Sequence, residues 1–191
     1  MVFGSVKIMK RLICFFTAFV LVFSICACAD KKHIASNTSQ DNYVDQLCST
    51  VRSWANAYYQ NDAEGYLHYS FKNPDCMQAL GNSEYDFESI KASTIQELDS
   101  YKSYMNENYS FYYVEAEPSN YEIYDKSSEI YSDYLAELSK MYSSADVVDV
   151  FALVEFQIRM DYKEGEGSLL QKQETANAEC MLIDGVWYVI N

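Results

Sequence analysis

Residues 148–160 read Val-Asp-Val-Phe-Ala-Leu-Val-Glu-Phe-Gln-Ile-Arg-Met, and residues 178–189 read Ala-Glu-Cys-Met-Leu-Ile-Asp-Gly-Val-Trp-Tyr-Val. In the first stretch Val148, Val150, Ala152, Val154, Phe156, Ile158 and Met160 form an unbroken apolar series of alternate residues. Between them stand mostly polar residues, Asp149, Glu155, Gln157 and Arg159. A period of two with one apolar side predicts a strand with one buried and one wetter face. In the second stretch Asp184-Gly185 is a favoured two-residue hairpin turn, which pairs Ile183 with Val186. That register puts Ala178, Cys180, Leu182, Trp187 and Val189 on one face, the expected core face. Gly165 and Gly167 mark the turn between the first strand and a long one over residues 169–183.

Working outward, residues 109–116 and 120–124 read as strand segments interrupted near Pro118. Residues 128–142 read as a helix with Tyr131, Tyr134, Leu135, Leu138 and Tyr142 on one side. Nearer the N-terminus, Val44, Leu47, Cys48, Val51, Trp54, Ala55 and Tyr58 recur at three-and-four spacing and predict a helix over 42–60, with Asp41 as its N-cap. A short helix follows over 63–69, with Asp62 placed to cap it. Asn73-Pro74-Asp75 breaks the chain and leaves Cys76 in a loop. Ser83 and Asp86 resemble a capping box ahead of a third long helix carrying Phe87, Ile90, Ile95, Leu98, Tyr101 and Met105. Helices first, then long antiparallel strands with one helix inserted, predict an α+β domain whose helices cover one face of a curved antiparallel sheet. No repeat marks a second domain, so residues 42–191 read as one.

The composition excludes several classes of function. The chain has 191 residues, 14 Lys+Arg against 28 Asp+Glu and a net charge of −14. Lys7, Lys10 and Arg11 precede the first acidic residue, Asp30, so the remainder holds 11 basic against 28 acidic residues. Nucleic acid is disfavoured as a partner, because neutralising phosphates needs clustered Lys and Arg. The acidic surface reads instead as a solvated one. No Gly-rich phosphate loop, serine-nucleophile motif, Cys-x-x-Cys pair or calcium loop is present, so neither a metal nor a cofactor is expected.

The N-terminus carries the sharpest localisation signal. The three basic residues precede the apolar run 12–25, whose 14 residues suit a secretory leader better than a membrane span of about 20. Ile25-Cys26-Ala27-Cys28 resembles the lipobox of bacterial lipoproteins, with Ala27 as the small residue before the cut and Cys28 as the lipidated cysteine. The resemblance implies a signal peptide over 1–27, a flexible polar tether over 28–41 and a protein held on the outer side of a bacterial membrane by its N-terminal lipid. Three cysteines remain, Cys48, Cys76 and Cys180. An odd number leaves at least one thiol free, and a Cys48–Cys76 bridge stays open as an alternative to three small buried hydrophobes.

The order of helices followed by a sheet ending in Asp184-Gly185-Val186-Trp187-Tyr188-Val189 resembles the nuclear transport factor two-like, or cystatin-like cone, superfamily. Residues 51–62, Val-Arg-Ser-Trp-Ala-Asn-Ala-Tyr-Tyr-Gln-Asn-Asp, are similar to that superfamily's first helix and the turn after it. The helix over 128–142 departs from the minimal cone. The resemblance implies a sheet wrapped around the first helix, with a cavity at its wide end that in isomerase and dehydratase members holds Asp, His and Tyr for proton transfer. Of the two histidines, His33 falls in the tether, and His68 sits near the expected cavity mouth. The candidate acid and base are therefore His68 and Asp62, and the candidate ligand contacts are Tyr58, Tyr69 and Tyr112.

Against catalysis, Asp62 is explained by capping and His68 as a partly exposed helix residue. The tyrosines crowding residues 101–142 suit recognition and ordinary packing alike. Three readings follow: a non-catalytic envelope module that binds a small ligand, peptide or envelope protein; an isomerase- or dehydratase-like enzyme; and an accessory lipoprotein that forms a homodimer through its sheet. The first is preferred.

Overall fold

The computed structural model describes residues 38–82, 84–108, 110–163 and 166–190, with side chains described from residue 43 and not over 105–114. All lie within one compact unit, Thr38–Asn191. The expected signal peptide, Cys28 and His33 fall outside the described residues. The helices are α1 (Thr38–Gln60), α2 (Ala63–Tyr69), α3 (Pro74–Ala79), α4 (Phe87–Asn108) and α5 (Glu129–Leu138). The strands are β1 (Ser110–Tyr124), β2 (Val148–Lys163), β3 (Leu170–Ile183) and β4 (Val186–Val189). They form one antiparallel sheet in the order β1-β2-β3-β4, with α5 inserted between β1 and β2. Among the described residues no helix is long and apolar enough to cross a membrane.

The α+β class and the β3–β4 hairpin follow the sequence reading. Ile183 pairs with Val186, and Asp184 and Gly185 take φ of 50° and 79°, the two positive values that a type I′ turn requires. Ala178, Cys180, Leu182, Trp187 and Val189 all belong to the main core. Leu47, Val51 and Ala55, four residues apart on α1, pack on the same face. The Trp187 indole N–H donates to the Tyr43 carbonyl at 3.1 Å and ties the start of α1 to β4.

The other face departs from expectation. Helices cover both sides of the sheet near the hairpin: Cys76 and Leu80 near α3 and Tyr131 and Leu138 on α5 form a second core with Val148, Phe151, Met181, Ile183 and Tyr188. The reason lies in a bulge. The β2–β3 register shifts between Val148 and Val150, so Val148 opposes Ile183 while Val150 opposes Leu182. Val148 therefore faces the second core and not the apolar series that it begins in the sequence. The Tyr131 hydroxyl donates to the Val148 carbonyl at 2.7 Å and locks α5 onto this irregularity.

Local corrections have similarly local causes. Helix α1 begins at Thr38, so Asp41 lies inside it and the last residues of the expected tether are helical. No apolar residue before Val44 betrays that turn. The Asn-Pro-Asp break opens α3: the Asn73 side chain caps the Asp75 N–H at 2.8 Å, and Pro74 takes the first helical position, where its missing N–H costs nothing. Cys76 is thus helical and buried. Ser83 is outside the described residues, and the start of α4 is capped by Asp86, whose Oδ1 accepts the Ser89 N–H at 3.1 Å. The two segments around Pro118 are one strand with a bulge between Pro118 and Asn120. All three thiols are free. Cys76 belongs to the second core, while Cys48 lies on the helix that covers the opposite face, so the sheet separates them.

After α3, Gly81 turns the chain at φ 83°, and a Cβ there would stand 2.5 Å from Ser143 Oγ and 2.8 Å from Ser144 Oγ. The Ser144 N–H bonds the Leu80 carbonyl at 3.2 Å across this approach. Gly185 has a similar φ but open space around it. Gly81→Ala is expected to cost about 1–3 kcal/mol from backbone strain and crowding together, and more than Gly185→Ala; urea unfolding midpoints of the two variants check the order.

Candidate functional site

Helix α2, α3 and the first turns of α4 meet at a cleft of about 210 Å³ lined by Glu64, Leu67, His68, Asn73, Pro74, Phe87 and Lys91. Leu67 is buried beneath it and Phe87 half-buried, while Pro74, Glu64 and His68 are exposed around it and Lys91 is half-buried. Lys91 Nζ and Glu64 form an ion pair at 2.5 Å that joins α4 to α2. The Glu64 side chain is 76% exposed, so this pair is an exposed one and adds little stability. Asn73 is buried with both polar groups engaged: its Nδ2 donates to the His68 carbonyl at 3.0 Å, and its Oδ1 accepts the Asp75 N–H. A second cleft of about 400 Å³ adjoins, lined by Pro74, Gln78, Gly81, Asn82, Tyr85 and Phe87. Pro74 and Phe87 are common to both, so the two form one groove along α3. The Tyr85 hydroxyl donates to the Lys72 carbonyl and pins the outer wall.

The sequence candidates divide between three places. His68 lines the smaller cleft, and its ring meets that of Tyr69 edge-on at 4.7 Å. Asp62 is the N-cap of α2, with its Oδ1 accepting the Gly65 N–H at 2.9 Å. Six residues of helix, about 9 Å along the axis, separate it from His68, so the two do not form a hydrogen-bonded acid–base pair. Tyr58 lies in a different aromatic cluster, where its ring meets those of Tyr59, Tyr66 and Tyr101 at 5.2–5.7 Å. Burial pushes the Tyr58 and Tyr59 hydroxyls up and the Tyr66 hydroxyl up to about 12, so these groups stay protonated and act as packing with a polar tip. Tyr112 lies on β1, and its side chain is outside the described residues.

Sequence reasoning missed Pro74, Gln78, Asn82, Tyr85, Phe87 and Lys91. The signal that pointed there was Asn73-Pro74, which reads equally as a cap with a first-position proline. Comparison with protein-family models, with curated proteins and with solved structures finds no match.

On the opposite side of the sheet from α1, the Tyr134 hydroxyl donates to Glu179 Oε1 at 3.1 Å. Burial raises the Glu179 pKa, and the Tyr134 bond only partly opposes this. A carboxyl raised in the folded state favours folding while it is protonated, and that contribution is lost as pH rises through its folded value. Glu179→Gln keeps an acceptor for Tyr134 and removes the charge. It is expected to raise Tm at about pH 8, with the gain closing as pH falls towards about 3, where the native side chain is neutral in both states. Thermal melts of both proteins across that range check the sign.

Proposed function

We propose that the chain is a lipid-anchored extracytoplasmic envelope protein, held through Cys28, whose single cone-like α+β domain binds a small amphipathic ligand or a short peptide without transforming it. The observation that carries the binding reading is the groove along α3, where the apolar Pro74 and Phe87 stand beside opposite charges, Glu64 and Lys91. Such a mix of apolar contact area with a few placed polar groups suits an amphipathic molecule. Amide side chains at Gln78 and Asn82 continue the polar wall into the larger cleft. The basic start, short apolar run and Ile-Cys-Ala-Cys sequence support the anchor. The helix-first order and the final Asp-Gly-Val-Trp-Tyr hairpin support the cone.

An anilinonaphthalene sulfonate probe, which pairs an aromatic body with an anion, tests the groove by fluorescence titration of the folded protein. Phe87→Ala and Lys91→Ala are each expected to weaken the probe by about tenfold or more, the size of a lost aromatic or charged contact. His68→Ala is expected to weaken it less, because the ring lies at the rim. Unchanged titrations for all three variants would end the assignment of this groove. The anchor has a separate test: Cys28→Ala is expected to lose the acyl mass and leave the membrane fraction. An unshifted mass with retained membrane association overturns it.

A further inference from the structure

We infer that two copies of this chain pair through the open edge of β3, antiparallel and centred on Gln173, giving a continuous β1-β2-β3-β3′-β2′-β1′ sheet. The inference is independent of the groove and of the anchor. Strand β4 pairs with only the last part of β3, from Cys180 to Ile183, and beyond it the Ile190 N–H bonds the Glu179 carbonyl at 2.7 Å. From Asn177 back to Leu170, β3 is paired on its β2 side alone among the described residues. The Glu179 carbonyl points to the β4 side, and the β2–β3 register runs without a shift from Leu182 to Leu170. Backbone groups alternate sides along a strand. Asn177, Thr175, Gln173 and Gln171 therefore aim their N–H and C=O groups at the open edge.

The other edges are closed or guarded. The β4 edge is capped by the Ser70–Val189 bridge and by the Phe71 N–H on the Val189 carbonyl at 2.7 Å. The β1 edge is kinked by the bulge at Pro118, which has no N–H to offer, and the Ala116 N–H is taken by Asn56 Oδ1 at 3.2 Å. On β3 every residue over 170–175 is exposed, and the segment has neither proline nor bulge.

Side-chain charge then selects the register. Lys172 and Glu174 oppose Met160 and Ile158 of β2, so both stand on the α1 face, where they pair with each other within the chain. A two-fold centred on Lys172 opposes two lysines, and one centred on Glu174 opposes two glutamates. Centring on Gln171 or Thr175 opposes the charges to uncharged residues. Centring on Gln173 opposes Lys172 to Glu174 of the second copy twice over. It also sets Leu170, 42% exposed in the monomer, against Ala176. In this register Gln173 meets its mate as the hydrogen-bonded pair, and the Lys–Glu pairs fall at the non-hydrogen-bonded positions, where side chains approach most closely. An inward charge normally guards an edge, but two opposite charges two residues apart are self-complementary about this axis. Residues 170–176 span only about 23 Å, a short interface, so the dimer forms at high concentration.

Sedimentation equilibrium of the full chain in density-matched detergent, from about 10 μM to about 1 mM, reads the association. The wild type is expected to show a monomer–dimer equilibrium. Lys172→Glu and Glu174→Lys are each expected to weaken it at least tenfold, because each opposes like charges twice. An equimolar mixture of these two variants restores complementary pairs and is expected to form heterodimers as strong as the wild-type dimer. A wild type that stays monomeric throughout overturns the proposal, as does a dimer indifferent to both reversals or a mixture that fails to associate.

Discussion

The end of the sheet nearest the β3–β4 hairpin is buried on both faces, and this condition governs the rest of the molecule. Cys180 and Leu182 point into one core while Met181 and Ile183 point into the other, and Trp187 and Tyr188 divide in the same way on β4. A strand segment with no wet side needs two covers. Helix α1 supplies one, and the other is assembled from α3 and α5, which come from distant parts of the chain. The bulge after Val148 makes this workable, because it turns one more apolar side chain of β2 towards the second cover. Helix α5 lies between β1 and β2 in sequence and so follows from the architecture: its Tyr131 and Leu138 fill the second core where a short connection would leave it open.

Most of this framework was legible because local and global signals agree. The alternation of β2, the Asp184-Gly185 turn and the four-residue spacing of Leu47, Val51 and Ala55 each name a unique face. The departures fall where a pattern has two readings. Val148, Val150 and Ala152 look like consecutive members of one series, and nothing in the side chains announces that Asp149 occupies a bulge. Phe151 and Leu153 are as apolar as their neighbours, which hinted at a strand covered on both sides, yet the stronger alternation from Val154 onward masked the hint. Asn73-Pro74-Asp75 reads as punctuation and is punctuation of a particular kind, a cap followed by a helix.

The groove was the least legible part, for a physical reason. Its walls come from the C-terminal turn of α2, from α3 and from the start of α4, and between α2 and α3 the Phe71 N–H bonds the Val189 carbonyl and ties the chain to β4. A residue such as Phe87 reads in sequence as the first apolar position of an amphipathic helix, and its ring nevertheless stands half in the groove. His68 was found because histidines are few, not because its spacing signalled a site. Asp62 shows the converse: a carboxylate just before a helix has a backbone N–H to accept, and the capping geometry at Gly65 uses it.

How the sheet treats its edges separates its two ends. Near the hairpin, the chain itself covers β4 at Val189 through Ser70 and Phe71. Along β1, proline and bulge make the edge irregular. In a chain of net charge −14, the β3 edge spaces a lysine and a glutamate so that a two-fold axis brings them together. Gln171, Gln173, Thr175 and Asn177 on the other face of that segment are uncharged and hydrogen-bonding, with nothing to repel a second copy. Opposite charges are thus balanced along a stretch of β3 that, among the described residues, β4 leaves uncovered.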